Sequence, residues 1–172
     1  MNPQLDFLFS RRSVRRYTDQ PVAAETVQDL LEAAMAAPSA CAKDPWEFIV
    51  LQDAKLLGQV AEFLPNGPML ATAPLGFVVC GDLERAHAGE LSYLLQDCSA
   101  AIQNLLLAAS ALGLGAVWLG VHPRQDRIDG LRGLFGLPES ILPVSCIALG
   151  HPADQPVART RFAAERVHTN GW

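Results

Sequence analysis

Apolar positions along this chain alternate between helical and strand-like patterns. Residues 26–36 place Val27, Leu30, Leu31, Ala34 and Met35 at the i, i+3, i+4 spacing of an amphipathic helix, which Pro38 ends. Residues 47–51 are a short β-branched and aromatic run and predict a strand. Asp53 stands where a helix cap belongs, and a helix through Phe63 follows it. Leu64-Pro65-Asn66-Gly67-Pro68 is a loop by its turn residues. Further on, the pattern predicts a buried strand over residues 75–81 and a long helix over 91–112, closed by Gly113 or Gly115. A third strand over 116–119 ends at Gly120, a weak helix covers 126–135, and a fourth strand over 144–149 ends at Gly150. Residues 151–172 are polar, contain proline and show no clear period.

The long helix is apolar on most faces, yet Gln96, Asp97, Ser99, Gln103 and Asn104 interrupt it, which argues against a membrane span. Such a helix needs cover on all sides. It either occupies the centre of the domain or packs against a second subunit. The tail has no core of its own and would also be covered better by a partner. Both features favour a dimer.

Composition narrows the picture. The 172 residues fit a single domain over 1–172, and 50% hydrophobic against 18% charged residues excludes a disordered chain. A net charge of −5 and a pI near 5.3 argue against general nucleic-acid binding, which needs a broad basic surface. Cys41, Cys80, Cys98 and Cys146 form no close pair, and His87, His122, His151 and His168 are equally scattered, so no metal site is expected. Unpaired cysteines in apolar surroundings and an N-terminus without an apolar signal core predict a cytoplasmic protein with no membrane partner.

Against this acidic background, Arg11-Arg12-Ser13-Val14-Arg15-Arg16-Tyr17 packs four guanidiniums and a serine hydroxyl into seven residues. A phosphate monoester carries roughly −1.5 to −2 charges at pH 7, and arginine forks with a hydroxyl donor suit its oxygens. A solvated basic face or an arm touching nucleic acid is the alternative, and the acidity of the chain weakens the second of these. Arg159-Thr160-Arg161 is a further basic pair. The two clusters either converge on one phosphate or are unrelated surface charges, and their spacing does not decide. Ala37-Pro38-Ser39-Ala40 is a turn with small side chains that would let a flat ligand approach the backbone. No nucleophile elbow or Walker loop occurs, and Gly113-Leu114-Gly115 lacks the third glycine of a dinucleotide fingerprint. His122-Pro123 and His151-Pro152 read as turn histidines. With no catalytic acid, base or nucleophile evident, a cofactor would carry the chemistry.

Together these elements resemble the FMN-dependent nitroreductase family. The likeness spans essentially the whole chain. It rests on Arg11-Arg12-Ser13-Val14-Arg15, on Ala37-Pro38-Ser39-Ala40 followed by Pro45-Trp46-Glu47-Phe48, on Gly113-Leu114-Gly115-Ala116-Val117-Trp118-Leu119-Gly120, and on Arg159-Thr160-Arg161-Phe162. The resemblance implies an α+β fold with a mostly antiparallel central sheet flanked by helices, in an intertwined homodimer with FMN at the interface. It implies that Arg11, Arg12, Ser13 and Arg15 approach the flavin phosphate, ribityl chain and ring edge, and that Arg159 and Arg161 close on the same phosphate. By the same likeness, Pro38, Ser39 and Ala40 form the turn that the partner subunit lays beside the ring. Leu119 and Gly120 form the strand end whose backbone N–H faces the reactive nitrogen. The implied activity is electron transfer from NADH or NADPH to a nitro-aromatic, quinone or similar flat small-molecule acceptor. An enone reductase, a dehalogenase-like member, or a flavin storage or sensor module without efficient turnover is the alternative. Family members often carry Asn and Gln before Pro-Trp, where this chain has Ala42 and Asp44. The missing amide and the added charge bear on flavin potential and acceptor choice. The chain is also short for the family, which implies a more open site.

Overall fold

The computed structural model describes residues 2–154, 157–158 and 160–172. Its strands are β1 (Trp46–Leu51), β2 (Leu75–Asp82), β3 (Gly115–Gly120) and β4 (Ile141–Gly150), joined in one antiparallel sheet of order β1-β2-β4-β3. Its α-helices are α1 (Asp6–Ser10), α2 (Ala24–Met35), α3 (Ala54–Glu62), α4 (Leu91–Ala111) and α5 (Gln125–Phe135). This is the expected α+β architecture.

Helices cover both faces of the sheet. On one side Phe77, Val79, Ile147 and Leu149 pack with Leu30 of α2 and with Leu94, Ile102 and Leu105 of α4. On the other, Val78, Cys80, Cys146 and Ala148 pack with Leu57 and Val60 of α3 and with Ile128 and Leu131 of α5. A strand buried on both faces has no polar side to show, so β2 reads in sequence as an unbroken apolar run and not as an alternation. Each fully buried Phe or Leu side chain contributes about 1.5–3 kcal/mol relative to exposure, which leaves the register of β2 and β4 little freedom.

Local signals set most element ends. The Asp53 carboxylate accepts a hydrogen bond from the Leu56 N–H at 2.9 Å and caps α3. Gly113, at φ +74°, lets the chain leave α4 and turn into β3. One element went unread and one boundary needs correction. The helix α1 has too few residues to show a period, and none of its residues is buried. β4 begins at Ile141 and not at Val144, because Pro143 sits beside a bulge at Val79/Cys80 where a missing N–H is tolerated. Of the two settings open to α4, the described residues enclose only part of it. Leu94, Cys98, Ala101, Ile102 and Leu105 are buried, whereas Ser92, Gln96 and Gln103 are exposed and Ala100 and Leu107 half-exposed.

Candidate functional site

The basic segment is pinned to the sheet by alternate residues. It pairs parallel with β3 at Ser13–Ala116 and antiparallel with the chain after β4 at Tyr17–Pro152. The Val14 N–H donates to the Ala116 carbonyl at 3.0 Å, and the Thr18 N–H donates to the His151 carbonyl at 2.9 Å. Val14 is buried, and the Tyr17 hydroxyl lies 2.7 Å from the Val14 carbonyl and 3.0 Å from that of Ala148. Burial pushes the Tyr17 phenol well above its usual pKa, so it remains a donor. The paired glycines Gly115 and Gly150 make this docking possible. A Cβ on Gly115 would lie 2.6 Å from Val14 Cγ1, and one on Gly150 would lie 2.6 Å from Pro74 and 3.2 Å from Tyr17 Cβ. With Val14 and Tyr17 anchored inward, Ser13, Arg15 and Arg16 face solvent and Arg11 and Arg12 are half-exposed.

Arg15 meets the end of β3 at a cavity of about 180 Å³, whose wall includes Asn66, Trp118, Leu119, Gly120 and Arg127. Gly120 contributes no side chain there, and a Cβ on it would meet nothing within 4 Å. The Arg127 guanidinium donates from Nη1 to the Gly120 carbonyl at 2.6 Å, while its Nε is buried without a partner among the described residues. A second cavity of about 200 Å³ shares Arg15 and adds Ser13, Arg16 and Asp154. A third, of about 270 Å³, is lined in part by Arg12 and Asp154. A run of shallow openings thus follows the arginine segment from Arg12 to Gly120. Asn66 and Arg127 were not singled out in sequence, and Trp118 only as part of the motif over residues 113–120. The signal of the first two was position: a loop asparagine and an arginine in the first turn of a weak helix.

The turn over residues 38–44 lies elsewhere. It leads into β1, on the sheet edge opposite β3. Three strand spacings separate the two, about 14 Å at ~4.8 Å each, although both lie at the same end of the sheet. No cavity described above joins Pro38, Ser39 or Ala40 to the arginine segment. The turn is tightly wound, with Cys41, Ala42 and Asp44 all at positive φ. The Ser39 hydroxyl donates to Asp44 Oδ1 at 2.5 Å and accepts from the Asp44 N–H at 3.0 Å. The Ala40 N–H donates to Oδ1 of Asp97, a buried carboxylate on α4 whose Oδ2 has no partner among the described residues. The charge of Asp44 is therefore tied into the turn through Ser39.

Of the tail residues, Arg159 lies outside the described residues. Arg161 is exposed, and no described contact brings it to the first cluster. The tail does approach that cluster: Arg12 Nη1 donates to the Val157 carbonyl, Arg16 forms a 3.4 Å ion pair with Asp154, and the Ala153 N–H donates to the Arg16 carbonyl at 3.0 Å. Cys80, Cys98 and Cys146 are buried and free. Burial pushes the Cys80 and Cys98 thiols up to about 12, with Glu47 adding to the shift at Cys80 and Cys80 and Asp97 at Cys98. They are packing residues and not nucleophiles.

These features suit the group that the resemblance implies. Arginine forks along a groove match a terminal phosphate, and the side-chain-free Gly120 leaves a backbone floor for a flat ring. The orphaned Arg127 Nε offers a donor without an acceptor. The 180 Å³ opening takes only part of a molecule of that size, since pockets for such ligands measure roughly 300–1,000 Å³.

Sandwiched sheet, docked arginine segment and glycine strand end together define an α+β protein with a row of guanidiniums along the edge of its sheet. The sequence profile of the nitroreductase family matches residues 8–151, and the chain belongs to that family. It is 44% identical over 170 residues to a Methanothermobacter thermautotrophicus protein provisionally named NADH dehydrogenase/NAD(P)H nitroreductase, covering 98% of this chain and 87% of that one. A similarly named crystal structure from Parabacteroides distasonis superposes with a TM-score of 0.93 at 42% identity, covering all of both chains. A provisionally named nitroreductase from Desulfovibrio desulfuricans, crystallised with FMN, gives a TM-score of 0.84 at 34% identity over 100% of this chain and 99% of that one.

Proposed function

We propose that this protein is an FMN-dependent oxidoreductase that takes electrons from NADH or NADPH and delivers them to nitro-aromatic, quinone or similar flat acceptors. The observation that carries this reading is the meeting of Arg15 with the Leu119–Gly120 strand end in one cavity, continuous with the arginine segment. FMN, when bound, supplies the redox chemistry. Arg11, Arg12, Ser13 and Arg15 hold its phosphate and ribityl end, with Arg159 and Arg161 closing from the tail. Leu119 and Gly120 offer backbone to the ring, where a fixed amide stabilises developing charge without a titratable group.

The working unit in this reading is a homodimer. One chain offers an opening too small for the cofactor, and its turn at Pro38, Ser39 and Ala40 lies about three strand spacings from its own Gly120, roughly 14 Å away. In a dimer that turn would cover the partner's cavity, with Asp97 holding it from behind. The open face of α4 and the exposed Phe162, Val167 and Trp172 of the tail are the surfaces such a dimer would bury. Four free thiols fit a cytoplasmic setting, and no helix among the described residues is long and apolar enough to cross a membrane. The test is direct. The purified protein should be yellow, release FMN and not FAD on denaturation, and have its flavin reduced anaerobically by NADH or NADPH, with nicotinamide consumption rising when an acceptor is added. A colourless protein that cannot be reconstituted with FMN would overturn the reading. Flavin that no nicotinamide reduces would leave a carrier in place of an enzyme.

A further inference from the structure

We propose that Arg127 sets the redox potential of the cofactor: its guanidinium, braced on the Gly120 carbonyl, places a second fixed positive charge in the cavity that Arg15 opens. The proposal rests on the reading of this cavity as an FMN site and goes beyond it by assigning a role to a residue outside the motifs that identify the family.

Several independent observations converge on Arg127. The guanidinium is tethered by a 2.6 Å bond to the Gly120 carbonyl, shorter than an ordinary N–H···O contact. The tether is short in sequence, because the Arg124 N–H donates to the Val121 carbonyl at 2.9 Å and turns the chain straight from β3 into α5. The Nε is buried and unpartnered among the described residues, a state that carries a desolvation cost unless an acceptor arrives. Arg127 also shares the cavity wall with Arg15, Asn66 and Trp118. Among the described residues no carboxylate pairs with Arg127, the ion pairs being Arg16–Asp154 and Arg85–Glu47. Its charge is therefore not cancelled locally.

A cavity with two uncancelled cations favours whichever state of its occupant carries more negative charge. A flavin ring gains negative charge on two-electron reduction at neutral pH, so Arg127 binds reduced FMN more tightly than oxidised FMN. By the thermodynamic cycle linking binding to reduction, that difference in affinity is a rise in midpoint potential. Arg127 need not touch the electron donor or acceptor to do this, because its charge acts on the cofactor itself.

The experiment compares wild-type holoenzyme with Arg127→Gln and Arg127→Lys. Oxidised FMN affinity is read by titration into apoprotein, and potential by equilibration with a redox dye. Arg127→Gln should weaken reduced FMN about tenfold more than oxidised FMN, a drop of roughly 30 mV for a two-electron couple. Arg127→Lys keeps the charge and should lose less than half of that. If Arg127→Gln weakens both states equally and leaves the potential unchanged, Arg127 only braces the strand end and the proposal fails. It fails equally if Arg127→Lys falls as far as Arg127→Gln, because charge is then not the cause. Should Arg127→Gln not fold, Arg127→Met replaces it with the same two readouts. Wild-type protein that binds no FMN defeats the underlying functional reading instead, which keeps the two failures separate.

Discussion

Arg15 and Arg16 are neighbours in sequence and have different fates in the fold. Arg15 lines the cavity beside Gly120, whereas Arg16 pairs with Asp154 at 3.4 Å on an exposed surface. Exposed pairs of that kind contribute little. A guanidinium about 4 Å from a phosphate gains roughly 4 kcal/mol at an effective dielectric near 20 before desolvation is subtracted. Arg11→Ala should therefore weaken FMN about tenfold or more, and Arg16→Ala should change it little; titrating FMN into both flavin-free variants reads the difference. Equal losses would mean a diffuse basic patch. The thiols give a pH prediction. Cys80 and Cys98 keep their protons in the folded state up to about 12, whereas an unfolded thiol ionises near 8.5. Between those values the unfolded chain binds fewer protons than the native one, so stability is complete below about pH 8.5 and declines as pH rises above it. Urea midpoints measured at increasing alkaline pH should fall, and Cys80→Ala/Cys98→Ala should flatten the decline.

At the scale of elements, the arginine segment is placed by what lies beneath it. Val14 and Tyr17 enter spaces left by Gly115 and Gly150, and the guanidiniums follow from that docking. Gly115→Ala puts a methyl 2.6 Å from Val14 Cγ1. Overpacking of this kind typically costs about 1–3 kcal/mol, and it should also loosen FMN by shifting Arg15. Adding Val14→Ala should recover part of the flavin affinity if the clash is the cause, as denaturant curves and FMN titrations on both variants will tell. The turn over residues 38–44 depends on α4 in a similar way. Asp97→Asn removes the charge from the acceptor of the Ala40 N–H and should weaken catalysis more than stability, measured as acceptor turnover against thermal midpoint. A fall in stability alone would confine Asp97 to the core.

For the whole molecule, what matters is how the tail and a second subunit complete the site. The described residues of 151–172 contribute almost nothing to the core, and Val157, Phe162 and Trp172 are among the most exposed apolar side chains. In the dimer reading the tail clasps the partner and brings basic residues to the phosphate. A chain ending at residue 158 should therefore lose both dimer stability and flavin, measured by sedimentation and by flavin absorbance in the same sample. A truncated chain that stays dimeric and fully loaded would relieve the tail of both roles.

The strands, the long helix, the Asp53 cap and the arginine block were legible in the sequence, because each rests on contacts a few residues apart or on a composition that stands out from its surroundings. The family motifs carried the fold, since their order along the chain is itself a sequence property. Arg127, Asn66 and Asp97 were not legible in this way. Nothing local separates Arg127 from Arg124 or Arg132; only the crossing from β3 into α5 brings it to the Gly120 carbonyl. Asp97 looks like one polar break in an apolar helix until the turn from residue 39 to 44 folds back onto α4. The α1 helix and the start of β4 escaped for related reasons, one being too short for a period and the other hidden by a proline that only the bulge between β2 and β4 makes tolerable. Periodicity and composition report what a residue is next to in the chain. Which distant backbone group a guanidinium or a carboxylate meets is fixed by sheet order and helix packing, and those are settled by burial of the whole core at once.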